Sequence, residues 1–193
     1  FSTSAAKKSA FFYFGSFALS GGRYLFHLLL LRLLLPSQYG EFLSYLSLLY
    51  LLTIPYSAIS NIITKHVAEF SGRGDQRSIN QFFYYMLGKL TPVTVILGTL
   101  LLIFANPLAV IFKAHSGAFT ILGISVFLSL IITLLRSYLS ALQRFVAQIS
   151  IGAFETTLMI LLAVVLIKAG FAATGAVTAQ LIAGIFAAGI IFY

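Results

Sequence analysis

The sequence contains no cysteine and very few charged residues. Charged residues make up 8% of its 193 positions and only four of these are acidic, whereas hydrophobic residues make up 60%. The lack of cysteine excludes disulfides and thiolate metal sites. A soluble domain of this length would carry about a quarter charged residues, so the composition predicts an integral membrane protein. The net charge of +8 then indicates basic loops beside anionic lipid headgroups rather than nucleic-acid binding.

Long apolar runs predict six membrane-spanning helices. A span needs about 20 predominantly apolar residues, each adding about 1.5 Å of helix. Proline, glycine and polar clusters separate the runs, for example at Pro36, Gly74 and Gly170. The six predicted helices cover residues 11–35, 41–64, 82–104, 117–141, 147–167 and 172–193. Because the connections are short, we expect helices that follow one another in sequence to be antiparallel neighbours.

The distribution of basic residues predicts the orientation of these helices. One side, formed by the amino terminus and the second and fourth connections, carries Lys7, Lys8, Lys65, Arg73, Arg77, Arg136 and Arg144. The opposite side carries only Arg32, Lys113 and Lys168. Since basic loops stay in the cytoplasm, both ends of the sequence are predicted to be cytoplasmic. The first residue is Phe1 and the last lies in an apolar run, so we expect a longer natural chain.

Four segments, in order along the chain, resemble one transporter family. Residues 33–42 (LLLPSQYGEF) resemble the first helical hairpin of the polysaccharide biosynthesis proteins, also called oligosaccharide (O-antigen-type) flippases. Residues 68–75 (AEFSGRGD) are similar to the cytoplasmic loop that follows the second helix of that family. Residues 135–145 (LRSYLSALQRF) and 168–176 (KAGFAATGA) resemble its turns between helices four and five and between helices five and six.

This resemblance implies a place in the multidrug/oligosaccharidyl-lipid/polysaccharide exporter superfamily. Its members have two six-helix lobes around a cavity that opens alternately to either side of the membrane. Residues 1–193 would form the amino-terminal lobe, and no carboxy-terminal lobe is present in this sequence. The implied function is translocation of a lipid-linked oligosaccharide, a polyprenyl-diphosphate glycan, across the bacterial or archaeal cytoplasmic membrane for polysaccharide export.

The same resemblance implies the partners and the chemistry. Lipid-linked oligosaccharide and membrane lipids are the expected partners, together with a glycan polymerase or export machinery, and nucleic acid is not expected. No nucleophile with its base, metal cluster or nucleotide motif is recognisable. We therefore expect a transporter without cofactor, metal or enzymatic activity, driven by an ion gradient or by the substrate gradient.

Three other functions remain open at this point. Cation-coupled multidrug efflux would favour an anionic cavity, and carboxylates inside the predicted spans are scarce. A peptidoglycan-precursor flippase differs from the first interpretation only in its substrate. A non-transporting scaffold for glycan assembly would need no substrate cavity at all.

A polar stripe on the first helix supplies the main candidate site. Ser16, Ser20, Arg23 and His27 are spaced by 4, 3 and 4 residues, which places them on one helical face. An unpaired cation in the middle of a span costs about 2.5–3.5 kcal/mol, so Arg23 is predicted to face the bundle or a wet cavity. A guanidinium suits bidentate phosphate recognition. Arg23, supported by His27 and Ser20, is therefore a candidate for binding the diphosphate.

A structural role for Arg23 is equally open. Glu155 is the single carboxylate well inside a predicted span, and it is predicted to form a buried ion pair with Arg23. Both roles are compatible, because Glu155 could hold Arg23 and exchange a proton when substrate arrives. Glu155 is thus a candidate ion-coupling residue. His27 is interpreted as an interior histidine with a hydrogen-bond partner rather than as a proton relay.

Hydroxyl residues recur on the second and fourth predicted helices. Thr53, Ser57, Ser60 and Thr64 share one side of the second helix, and Pro55 is predicted to kink it. We interpret these hydroxyls as helix-packing groups, with Ser57 as a candidate sugar contact on the alternative interpretation. Ser125, Ser129 and Thr133 on the fourth helix are also read as packing residues, and Arg136 as a residue at its cytoplasmic end. The small residues at 172–176 and 183–189 predict close helix contacts.

Overall fold

The computed structural model describes residues 3–112 and 115–192, and the side chains of residues 13–112 and 115–191. Within these ranges the chain forms helices and no β-strand, which confirms the all-α prediction. The α-helices are α1 (Thr3–Leu33), α2 (Pro36–Gly72), α3 (Gln76–Ile103), α4 (Ala105–Phe112), α5 (Ser116–Ala141), α6 (Phe145–Leu166) and α7 (Ala172–Phe192). A π-helical turn, Ile167–Phe171, joins α6 to α7. The side chains of Lys7, Lys8 and Lys113, used above to orient the chain, lie outside the described residues.

Four helical stretches are long and apolar enough to cross a membrane. They are Pro36–Gly72, Gln76–Ile103, Ser116–Ala141 and Phe145–Ile191. The last contains both α6 and α7, which are separated by a turn where Gly170 has a φ of 95°. The described part of α1 is not apolar enough over the length of a membrane span to be counted with them, because Arg23 and His27 interrupt its apolar run. These stretches indicate a multi-pass membrane protein.

Two predicted connections are partly helical in the structure. The second predicted helix was expected to end at residue 64, but α2 continues to Gly72, so the first half of the predicted basic loop is helix. Residues 105–116 were also predicted to be a connection, interrupted at Asn106-Pro107, but the structure has the short helix α4 there. Pro107 lies in the first turn of α4, where a backbone N–H has no partner within the helix, so a proline is tolerated there.

The turn from α2 to α3 shows how short the connections are. α2 ends where Gly74 adopts a φ of 70°, a conformation that favours glycine. The N–H of Asp75 donates to the Phe70 carbonyl at 3.0 Å, which closes the end of α2. The Asp75 carboxylate then accepts from the Ser78 N–H at 3.0 Å and caps α3. Only Arg73 and Gly74 therefore separate this cap from the last turn of α2.

The helices do not all pack against their sequence neighbours. α5 lies between α2, α3 and α7, and α7 packs along both α6 and α5. α1 packs mainly on α6 and contacts α2 little. The ring contacts that join α1 to α2 lie near the turn between them, at Phe26, His27, Tyr39 and Phe42. The expectation that consecutive helices pack side by side is thus wrong for α1 and α2, because a short turn restrains only the helix ends.

Small residues explain why α1 packs on α6. A Cβ atom on Gly15 would lie 2.6 Å from the Ile149 side chain, and one on Gly22 would lie 3.0 Å from Thr156. On α6, a Cβ on Gly152 would lie 3.0 Å from Leu19. Without hydrophobic driving force between helices in lipid, such close backbone approach is what favours association. The result is that α1 and α2 diverge away from their turn and leave a gap between them.

Close contacts also hold α7 in place. The alanines along its inner face are buried, and they include Ala173, Ala176, Ala179, Ala183 and Ala187. A Cβ on Gly184 would lie 3.2 Å from Ile132 of α5. The prediction of close helix contacts in these glycine- and alanine-rich segments is confirmed.

Candidate functional site

A cavity of about 190 Å³ lies at the gap between α1 and α2. Its walls come from α1, α2, α6 and α7, and its polar lining residues are Arg23, His27, Tyr50, Glu155, Thr156 and Gln180. A water molecule needs about 10–15 Å³ of such space together with polar partners. This cavity, which we call the arginine cavity, therefore has room for several waters and for a small polar group.

Arg23 faces the arginine cavity, as predicted from the cost of a cation in the middle of a span. It lies on α1 next to Phe26 and His27, which line the same cavity, and its side chain is exposed rather than sealed. Among the described residues it forms no ion pair. A guanidinium carries five N–H donors in a planar fork, so Arg23 presents unused donors to the cavity.

Glu155 pairs with Arg136, not with Arg23. The Arg136 guanidinium of α5 donates a close hydrogen bond to the Glu155 carboxylate of α6. The predicted Arg23–Glu155 ion pair is therefore wrong, and the interpretation of Arg136 as a residue near the end of its helix is incomplete. Arg136 lies five residues before the end of α5, about 7 Å along the axis. Its long side chain spans the remaining distance to Glu155, which lies about 15 Å into α6.

His27 is held by an aromatic group at the edge of the arginine cavity. Its Nδ1 lies 3.3 Å from the Tyr39 hydroxyl, and its ring contacts those of Phe26 and Phe42 with centroids 5.9 and 6.0 Å apart. These contacts match the interpretation of His27 as an interior histidine with a partner. They also fix the position of the imidazole beside Arg23, since both residues line the same cavity.

A second cavity of about 150 Å³ adjoins the first. Tyr50, Glu155 and Gln180 line both cavities, and the hydroxyl residues Thr53, Ser125 and Ser129 line only the second, which we call the hydroxyl cavity. The packing role predicted for Ser125 and Ser129 is thus incomplete, because both form part of a cavity wall.

The hydroxyls of this cavity already use their protons. Thr53, Ser125 and Ser129 each donate to a backbone carbonyl of their own helix, at 3.1, 2.9 and 2.7 Å. Each hydroxyl oxygen therefore offers lone pairs to the cavity. Such a wall accepts hydrogen bonds from donors, and sugar hydroxyl groups are donors of this kind.

Two of the candidate site residues lie outside both cavities. Ser20 is exposed on α1 and donates to the Ser16 carbonyl at 3.0 Å. Ser57 is exposed on α2 and donates to the Ile54 carbonyl at 2.7 Å. Neither residue is among those that line the arginine or hydroxyl cavity. The structure thus brings together Arg23, His27 and Glu155, but not Ser20 or Ser57.

Further along α2, the hydroxyl stripe does serve helix packing. The Ser60 hydroxyl lies 2.7 Å from that of Ser137 on α5, and Thr64 donates to the Ser137 carbonyl at 3.5 Å. The packing interpretation is therefore confirmed for Ser60 and Thr64.

Gln180 lines the candidate site, and the sequence interpretation did not include it. It lies on α7 and lines both cavities beside Glu155. Its side-chain amide provides two donors and an acceptor. A lone amide in an otherwise apolar helix was the available signal, since a polar group in a span is costly unless it faces a partner or a cavity.

A second carboxylate, Glu41 of α2, lies near the α1–α2 turn, away from these cavities. It accepts from the Tyr45 hydroxyl and from the backbone N–H of His115, the residue that precedes α5. Tyr45 is fully buried, and its hydroxyl oxygen accepts in turn from the His115 N–H at 3.0 Å. We call this group the Glu41 cluster. It fastens the beginning of α2 to the beginning of α5.

The charges around the arginine cavity are more favourable for an anion than for a cation. Two guanidinium groups, Arg23 and Arg136, accompany one carboxylate, Glu155, so the group carries a net charge of +1. Within residues 3–112 and 115–192, no cluster of three or more histidine or acidic side chains could hold a metal ion. No protein-family model, curated protein or solved structure matches this chain.

Proposed function

We propose that this chain is the amino-terminal lobe of an oligosaccharide-lipid flippase, and that the arginine cavity receives the diphosphate of a polyprenyl-diphosphate glycan. The observation that carries the proposal is Arg23, an exposed guanidinium that lines a cavity and forms no ion pair among the described residues. Phosphate oxygens match the geometry of a guanidinium fork. The hydroxyl cavity next to it would accept hydrogen bonds from the attached sugars.

The arrangement of helices in the membrane belongs to this proposal. Six helices, α1, α2, α3, α5, α6 and α7, would each cross the cytoplasmic membrane of a bacterium or archaeon, and α4 would lie at the outer surface. The α2–α3 and α5–α6 turns carry exposed Arg73, Arg77 and Arg144. The positive-inside rule then places these turns, and both ends of this fragment, in the cytoplasm.

Transport would follow from alternating access between two lobes. A second lobe would complete the cavity, and rocking of the lobes would expose the bound headgroup first to one side and then to the other. Multidrug efflux fits less well, because the single carboxylate that lines the cavities is neutralised by Arg136. A peptidoglycan-precursor flippase would use the same diphosphate chemistry and differs in the glycan.

The proposal is tested by Arg23→Ala in cells that depend on this protein for surface glycan. A charge-assisted hydrogen bond is worth about 1.5–3 kcal/mol, so we expect headgroup binding to weaken roughly 10- to 100-fold and glycan export to stop. Arg32→Ala is the matched control, because Arg32 is an exposed arginine at the end of the same helix. Full export by a normally folded Arg23→Ala variant would contradict the proposal. If the protein binds cationic drugs and Arg23→Ala does not change that binding, multidrug efflux would be favoured instead.

A further inference from the structure

Glu155 separates Arg136 from the cavities. Its carboxylate lines both the arginine cavity and the hydroxyl cavity. Arg136 is not among the lining residues of either cavity and meets them through this carboxylate. The Glu155 side chain is 21% exposed and that of Arg136 29%, so the pair is reached by water rather than sealed in the core.

One guanidinium is too little for a diphosphate. A diphosphate carries at least two negative charges and several acceptor oxygens, and a single guanidinium fork pairs with two oxygens at a time. Arg23 can therefore satisfy one phosphate of the two. The next guanidinium at the cavities is Arg136, which donates to Glu155 on the side of the cavities.

We propose that Glu155 is a built-in competitor for the headgroup, and that Arg136 is the second phosphate-binding cation, which Glu155 covers until a headgroup displaces it. This inference rests on the proposed function of the arginine cavity. The anionic oxygen of the arriving diphosphate replaces the carboxylate oxygen on Arg136, so the guanidinium exchanges one anionic partner for another.

The neighbours of Glu155 make such an exchange feasible. Tyr50 and Gln180 line the same two cavities as Glu155. The tyrosine hydroxyl and the glutamine amide are hydrogen-bond donors, so a displaced carboxylate has partners within the same space. An ion pair that is partly exposed is also held more weakly than one sealed in the core. The exchange therefore leaves neither Arg136 nor Glu155 without a partner.

The test measures binding to the protein in lipid nanodiscs, with inorganic pyrophosphate and a short-chain prenyl diphosphate as separate probes. Glu155→Gln keeps the size of the side chain but removes the competing charge, and we expect binding of both probes to tighten about tenfold. Glu69→Gln is the matched control, because Glu69 pairs with His66 at 3.5 Å far from the cavities. It is expected to leave binding unchanged.

A double variant measures the contribution of Arg136 to binding even if the protein with Arg136 replaced alone does not fold. Arg136→Gln combined with Glu155→Gln leaves no unpaired charge, and it should bind both probes about tenfold more weakly than Glu155→Gln alone. Equal affinity of the double variant and Glu155→Gln would overturn the role of Arg136. Unchanged or weaker binding by Glu155→Gln would overturn the role of Glu155.

Arg23→Ala separates this inference from the proposed function. If binding depends on Arg23 but not on Glu155 or Arg136, the arginine cavity still binds headgroups and the competitor is disproved. If the wild-type protein binds neither probe, the proposed function fails and the inference fails with it. Tightening for inorganic pyrophosphate alone would identify a site for free phosphate rather than for a lipid headgroup, and would overturn the inference as stated.

Discussion

Glu41 and Glu155, two carboxylates of the helical bundle, are held in opposite ways. Glu41 accepts from a tyrosine hydroxyl and a backbone N–H, and both donors are neutral. Glu155 is held by a guanidinium and lines two cavities. The Glu41 cluster joins two helix ends around the fully buried Tyr45, whereas Glu155 lies where water and ligands have access. Both sites therefore contain a glutamate carboxylate, but only at Glu155 can a ligand from a cavity take the place of one member of the pair.

This difference separates a structural carboxylate from an exchangeable one. Glu41 lines neither cavity, and its two donors belong to the helix ends that it joins. Glu155 can lose Arg136 to another anion without moving a helix. We expect substitutions at Glu41 to change the stability of the fold and substitutions around Glu155 to change ligand binding as well.

The largest effect is expected from Arg136→Leu, which leaves the Glu155 charge without its cation. Removing one member of a buried ion pair costs about 3–5 kcal/mol, and the partial exposure of this pair places the expected loss near the lower value. Unfolding in mild detergent measures it. Adding Glu155→Leu removes the unpaired charge and should recover most of the stability. A single variant as stable as wild type would show that the pair contributes nothing to the fold.

A smaller loss is expected from Glu41→Ala. The Tyr45 hydroxyl and the His115 N–H lose their charged acceptor, and a hydrogen bond to a charged group is worth about 1.5–3 kcal/mol. The two groups keep their contacts with each other, so we expect a loss near the lower value. Glu41→Gln retains a carbonyl oxygen and should lose less. Neither variant should alter pyrophosphate binding, which calorimetry can measure on the same samples. Weaker binding by Glu41→Gln would mean that the two carboxylates are not independent.

A pair of glycine substitutions tests whether α1 is held by α6, as the gap beside Arg23 requires. In Gly15→Ala the new methyl meets Ile149, and overpacking of this kind costs about 1–3 kcal/mol. Gly21 lies on the same helix with open space around it, so Gly21→Ala should be neutral or gain up to about 1 kcal/mol from the reduced freedom of the unfolded chain. Thermal unfolding of both variants gives the comparison. Equal stability would contradict the close α1–α6 contact.

The smallest effect concerns a third carboxylate, Asp75, at the surface. Hydrogen bonds from Ser78 lower the pKa of Asp75 below its ordinary value of 3.8. A lowered folded-state pKa means that this contribution to stability is complete above about pH 4, since the unfolded pKa is 3.8, and is lost as the pH falls through the folded pKa. Asp75→Asn keeps a neutral cap and should remove this acid-sensitive component. The losses of this kind fall between about pH 5 and 2. If wild type and Asp75→Asn show the same dependence of stability on pH in this range, Asp75 makes no such contribution.

The helices could be predicted from the sequence because long apolar runs and turn residues determine them locally. Pro36 and Gly74 do end or begin helices as their chemistry requires. The short helix α4 was missed because Asn106-Pro107 reads as a break, although proline is compatible with a first helical turn. Which helices pack together depends on contacts such as Gly15 with Ile149, and these join residues far apart in sequence.

The candidate site was predictable in part for the same reason. The cost of a mid-span cation was enough to direct Arg23 toward a cavity. The partner of Glu155 was not predictable, because periodicity along one helix gives no information on the rotation of another. Arg136 contacts Glu155 because its side chain is long. The position of Arg136 near the end of its helix did not indicate this contact.

Under the proposed function, the divergence of α1 and α2 has a consequence for selectivity. An opening on the flank of a bundle admits one end of an elongated amphiphile and leaves the rest in the surrounding bilayer. Each methylene moved from hydrocarbon to water would cost about 0.8 kcal/mol, so a lateral entrance removes any penalty that grows with chain length. Cargo with short and long hydrocarbon portions would then be equivalent, and discrimination would rest on the charged terminus alone.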